Sequence, residues 1–139
     1  MAELAGTGRY EVSDAVKAVI GKHFVGGYCS DDETKSAINK VYTENGYLMD
    51  THTAVAYNKL AAYRKDTGCV TPAVVVSTAS PYKFCNSVLQ ALGQESDAPG
   101  TELIEKLSEV TKTAIPKPLE GLDRREKRFE LVVDKPEMK

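Results

Sequence analysis

Two short segments hold most of the side chains in this sequence that could carry out chemistry. Asp50 to Tyr57 reads DTHTAVAY, and Ser77 to Phe84 reads STASPYKF. Each sets small hydroxyls beside one ionisable group at the boundary of a secondary-structure element, where functional groups collect. In the first, Asp50 and His52 form a D-x-H pair with three readings: a helix-capping pair, a cleft site facing a substrate phosphate or a cofactor, or a fragment of a metal or catalytic constellation. A metal site is disfavoured, because the one other histidine, His23, sits beside the core position Phe24 on a predicted helix. A Ser-His-Asp hydrolase using Ser77 or Ser80 is also a poor fit. No G-x-S-x-G elbow is present, and an acid and a histidine this close in sequence rarely stack as orienter and base. In the second segment, Thr78 either caps the turn that follows it or offers its hydroxyl to a ligand. Cys29, Cys69 and Cys85 are odd in number, widely spaced and outside any C-x-x-C pattern, so they read as reduced structural thiols.

The elements that must position these groups follow from periodicity and caps. Asp50 or Thr51 caps a helix through Ala54, Val55, Tyr57, Ala61 and Ala62 that closes at Thr67-Gly68. Before it, Ser30 and Glu33 make an S-x-x-E capping box; the helix they open buries Ile38, Val41 and Tyr42 and stops at Asn45-Gly46. Tyr47 to Met49 is a short extended link. Earlier still, after a lead-in of ten residues, Ser13 caps a helix with Val12, Val16, Val19, Ile20 and Phe24 in helical spacing, ended by Gly26 and Gly27. Ala73 to Ser77 is a β-branched run without polar alternation, which predicts a strand covered on both faces, as in a parallel sheet. Pro81 opens a helix from Tyr82 to Leu92 with Phe84, Val88 and Leu92 in line and Gly93 as its stop. Thr101 caps a further helix carrying Leu103, Leu107 and Val110, broken by Ile115-Pro116-Lys117-Pro118. Phe129, Leu131 and Val133 alternate with polar and apolar neighbours and suggest an edge strand. The expected fold class is therefore α/β: mostly helical, with one buried strand and short edge strands. A lone buried strand needs a partner for its backbone groups, so the chain reads as a piece of a larger α/β sheet.

Composition bounds the function. The 139 residues suit one globular unit, and 42% hydrophobic with 27% charged side chains is the balance of an ordinary folded protein. Eighteen basic and 20 acidic groups leave a net charge of -2, which supplies no field for a nucleic-acid backbone. Even the apolar run Ala73 to Val76 falls far short of the roughly 20 residues that cross a bilayer, so no membrane partner is expected. The start of the chain has Glu3 and Arg9 and no apolar signal core, from which a cytoplasmic location is expected. Arg124, Arg125, Lys127 and Arg128 form a basic stretch interrupted by Glu126, of the kind that is usually solvated surface, and it takes no assignment.

Taken together, the two segments resemble threonine synthase, in which a D-x-H-T-A-V-A-Y stretch opens one helix and S-T-A-x-P-x-K-F follows about twenty residues later. GRYEVS at Gly8 to Ser13, FVGGY at Phe24 to Tyr28 and DKPEMK at Asp134 to Lys139 also resemble the C-terminal region of that family. The resemblance implies a fold-type-II pyridoxal-phosphate (PLP) enzyme that converts O-phospho-L-homoserine and water to L-threonine and phosphate, with the cofactor as electron sink. It implies that Thr78 meets the pyridine nitrogen of the cofactor, and it places Asp50, His52 and Ser77 near the active-site cleft. The family's Schiff-base lysine, in an F-K-D context, and its Gly/Asn-rich phosphate loop match nothing here; Lys83 is not that lysine. No catalytic residue is therefore expected in this chain. The expectation is a single C-terminal segment, residues 1–139, inactive and without bound cofactor by itself, partnered by the missing N-terminal part of the enzyme and prone to self-association. The alternative is a small non-enzymatic interaction module that keeps the ancestral fold.

Overall fold

The computed structural model describes residues 2–126 and 128–138. Its helices are α1 (Ala2–Thr7), α2 (Asp14–Gly21), α3 (Asp31–Asn45), α4 (Thr51–Thr67), α5 (Cys85–Ala91) and α6 (Gly100–Thr111). Single 3-10 turns cover Pro81–Lys83, Lys117–Leu119, Leu122–Arg124 and Lys135–Glu137.

The best-specified element is α3. The Ser30 hydroxyl accepts from the Glu33 amide at 3.2 Å while the Glu33 carboxylate accepts from the Ser30 amide at 2.8 Å, so two donors at the helix start satisfy one box. Thr34, Ala37, Ile38 and Val41 then fall on one face and are buried. Gly46 ends the helix in the left-handed region at φ 67°, which a residue with a Cβ adopts only with strain, and Gly68 ends α4 in the same way. α3 packs against both α4 and α5, and α5 in turn packs on α6; α5 contributes Cys85, Val88, Leu89 and Ala91 to the core and α6 contributes Leu103, Ile104 and Leu107. Polar side chains tie the elements together: Asn39 donates to the Ala91 carbonyl at 2.9 Å, Tyr42 to the Thr111 carbonyl at 3.2 Å and Tyr82 to the Thr113 carbonyl at 2.9 Å. Fully buried Ile38, Val88, Leu89 and Leu107 stabilise this unit by about 1.5 to 3 kcal/mol each.

The expected α/β class is wrong. No strand occurs among the described residues. Ala73 to Ser77, the expected buried strand, is neither paired nor covered: Val74 is 90% and Val76 68% exposed. A β-branched run favours the strand conformation, but a strand exists only as one member of a hydrogen-bonded ladder, and none of the described residues pairs with it. The expected edge strand fails for the same reason, with Phe129 and Leu131 each 87% exposed. Tyr47 to Met49 forms no strand either; it serves as a link that buries Leu48 and Met49.

Four helix expectations also shift. The lead-in contains α1, and α2 closes at Gly21, ahead of Gly26 and Gly27. The apolar stripe of α2 is capped by Ser13 as read, but it packs on nothing: Val19 is 59% and Ile20 48% exposed. The helix expected from Pro81 divides into a 3-10 turn and α5, with Phe84 between them at φ -129°, outside helical geometry. The cap of α6 is Pro99, without a side-chain hydrogen bond, and Thr101 lies inside its first turn.

Candidate functional site

Burial of Leu48 and Met49 draws the start of α4 into the core, and Asp50 goes with it, its side chain 0% exposed. As the helix N-cap, its Oδ1 accepts from the amides of His52 at 2.9 Å and Thr53 at 3.3 Å. Its Oδ2 accepts from the Thr53 hydroxyl. His52 Nδ1 stands 3.3 Å from the same Oδ1. Burial pushes the Asp50 carboxyl up, but the Thr53 hydroxyl, the two amides and the His52 ring together outweigh it and hold the group below the usual carboxylate range.

Thr53 is buried and reaches in two directions. Its Oγ1 lies 3.3 Å from Ser77 Oγ, so the two motifs, 24 positions apart, meet through hydroxyls. They meet again where the His52 ring tilts at 51° against Phe84, centroids 5.1 Å apart, within the range of aromatic contact. Asp50, His52 and Ser77 are thus brought together. Thr78 comes directly after this contact: it is exposed, and no side-chain hydrogen bond involves it among the described residues. Ser80 caps the following turn instead, accepting from the Tyr82 amide at 3.3 Å.

His52 forms the ridge between two grooves. One, of about 1110 Å³, runs between the Val25 to Tyr28 loop and the face of α4 that carries Val55, Lys59 and Tyr63. The loop approaches so closely that a Cβ at Gly27 would stand 2.6 Å from Cδ of Lys59. Glu33 lies on the same wall; the Ser30 amide holds its carboxyl below the ordinary value, and Lys59 adds to that. The other groove, of about 410 Å³, is more polar and is lined by Lys35, Thr51, Phe84, Ser87 and Gln90.

Sequence reasoning did not single out Thr53, Phe84 as an aromatic partner, or Lys59. For Thr53 a signal existed: position N3 of a helix capped by Asp50 is where a hydroxyl can return to the cap. The Phe84 and Lys59 contacts are tertiary and leave no local mark. Of the cysteines, Cys85 is buried, which pushes its thiol up, whereas Cys29 and Cys69 are half-buried. Among the described basic residues, Arg124 pairs with Asp123 at 3.6 Å, Arg125 donates to the Glu120 carbonyl at 3.2 Å and Arg128 lies 5.9 Å over Phe129; Lys127 falls outside the described residues. None of them approaches the site.

Residues 53–139 match the family model described as "Threonine synthase, C-terminal". The chain belongs to the threonine synthase family. Its match is to the C-terminal region of that family, as the two motifs suggest. Threonine synthase-like 1 of Mus musculus is 36% identical over 110 residues, which is 78% of this chain and 14% of that protein. Threonine synthase of Schizosaccharomyces pombe is 35% identical over 98 residues, 70% of this chain and 19% of that one. The chain therefore spans less than a fifth of the length of these curated relatives. A solved structure of PLP-bound threonine synthase from Brucella melitensis superposes with a TM-score of 0.58 at 29% identity, covering 83% of this chain and 23% of that protein. No helix among the described residues is long and apolar enough to cross a membrane.

Proposed function

We propose that this chain is the C-terminal part of a threonine synthase that converts O-phospho-L-homoserine and water to L-threonine and phosphate, and that Thr78 supplies the hydroxyl that meets the pyridine nitrogen of PLP. The single observation that carries this reading is the meeting of the two family motifs at the start of α4, with Thr78 left exposed beside it.

The residues present fit the cofactor. A pyridine nitrogen needs a polar partner, and Thr78 offers a neutral hydroxyl that nothing in the described chain occupies. Asp50, the nearby carboxylate, is unsuited to that role, because it is fully buried and both its oxygens are taken by donors of its own helix. Contact with a neutral donor leaves the ring less strongly polarised than contact with a carboxylate would. PLP, when bound, supplies an electron sink for loss of phosphate and addition of water. Ser77 and Thr53 hold the turn that bears Thr78, while His52, anchored by Asp50 and Phe84, borders the groove where substrate atoms would lie.

The remaining part of the enzyme, which would bring the Schiff-base lysine and the phosphate loop, is the proposed partner. The exposed apolar side chains of α2 and of residues 70–76 are the surfaces suited to it. We place the enzyme in the cytoplasm. The test compares phosphate and threonine release from O-phospho-L-homoserine by the longer protein and by the 139-residue chain, both with PLP. Turnover by the longer protein alone is expected. Turnover by the chain alone, or none by the longer protein, would overturn the reading.

A further inference from the structure

The segment between the two motifs is fastened to α4 at both ends. Near the C-terminal end of the helix, Arg64 Nη2 donates to the Thr71 carbonyl at 2.8 Å. Near its N-terminal end, Thr53 Oγ1 lies 3.3 Å from Ser77 Oγ. Thr53 and Arg64 are eleven positions apart, about 16 Å along a helix at 1.5 Å per residue. The six steps from Thr71 to Ser77 reach at most about 20 Å. The segment thus runs back along α4, although no ladder or core contact among the described residues holds its middle, where Val74 is 90% exposed.

From this geometry we propose that Thr53 is a positioning residue: its hydroxyl clips Ser77 to the start of α4 and so fixes where Thr78 stands. Three features single it out. Thr53 is buried while its partner is exposed, so the contact sits at the lip of the core with its inner half inside it. The Thr53 hydroxyl donates to the Asp50 carboxylate, which is itself held by two backbone amides, so in the contact with Ser77 it is the Ser77 hydroxyl that donates and Thr53 Oγ1 that accepts, the Ala79 carbonyl at 3.5 Å being the longer alternative acceptor. That contact turns Ser77 toward α4 and leaves Thr78 as the adjacent hydroxyl available to a ligand. The importance of the clip for the cofactor rests on the function proposed above; the clip itself does not.

Backbone relaxation of the isotope-labelled 139-residue chain, without cofactor, tests it. In the unaltered chain the Ser77 and Thr78 amides should show order parameters near the rigid value of about 0.85, and Thr53→Val should lower them below about 0.6. Thr53→Ser, which keeps the hydroxyl, should restore them, while the α6 amides around Leu107 stay unchanged in every variant. Should Thr53→Val fail to fold, Ser77→Ala serves, since that side chain is exposed: it should move the amide resonances of Asp50 and Thr53, 24 positions or more away. Unaltered order at Ser77 and Thr78 in Thr53→Val, no rescue by Thr53→Ser, or silence at Asp50 and Thr53 in Ser77→Ala would each overturn the clip. A silent Thr78→Val in the longer enzyme combined with lost order in Thr53→Val leaves the clip standing and removes only the cofactor reading.

Discussion

Asp50 keeps a negative charge inside the protein because three donors converge on it: the amides of His52 and Thr53 and the Thr53 hydroxyl. With its folded pKa held below the ordinary value of about 3.9, the stability it contributes is full above that pH and is lost as the pH falls through the lower, folded value. Glu33, lowered chiefly by the Ser30 amide, acts in the same direction. Urea midpoints should therefore drop between neutral pH and pH about 3, and Asp50→Asn, which keeps a capping oxygen but cannot ionise, should flatten part of that drop. An unchanged acid limb would show that the carboxylate carries no such charge. Asp50→Ala, leaving Thr53 and two amides without their acceptor, should cost about 1 to 3 kcal/mol at neutral pH. The capping role of Asp50 was legible because the cap is written in adjacent residues. The contact of Thr53 with Ser77 was not, because it depends on how a 24-residue excursion returns.

At the level of elements, local signals survived where a side chain or a glycine satisfied the helix end, whereas the Thr101 cap and the Gly26-Gly27 stop did not. The Ser30 and Glu33 box and the stops at Gly46 and Gly68 are local and are found where read. Elements defined by what lies across from them did not survive. The valine run at 73–76 has the composition of a strand without a ladder, and α2 has an apolar stripe without a facing surface. This difference can be measured. Leu107→Ala in α6, at a site with 0% exposure, should cost about 2 to 5 kcal/mol. Val19→Ala in α2, which is 59% exposed, should change stability by no more than about 0.5 kcal/mol. Equal losses in a denaturant titration would mean that α2 belongs to the core after all.

For the whole molecule, the well-packed part is α3 to α6, while residues 2–28 and the segments at 70–76 and 129–133 carry apolar side chains into solvent. Tyr28 is 86% and Phe24 72% exposed, large aromatic surfaces left in water. The isolated chain should self-associate, so light scattering across a concentration series should give a rising apparent mass. A strictly monomeric profile would mean that these surfaces need no cover. The central claim, that Thr78 of this chain meets the cofactor nitrogen of a threonine synthase, is tested most directly in the longer enzyme by comparing Thr78→Val with Ser80→Ala. One lost hydrogen bond contributes about 0.5 to 1.5 kcal/mol. Thr78→Val should accordingly shift the absorption band of the bound cofactor, weaken its retention and lower turnover about two- to tenfold, while Ser80→Ala, which removes only the cap on Tyr82, does less. An unchanged spectrum and turnover in Thr78→Val, with their loss in Ser77→Ala or Ser80→Ala, would contradict the assignment.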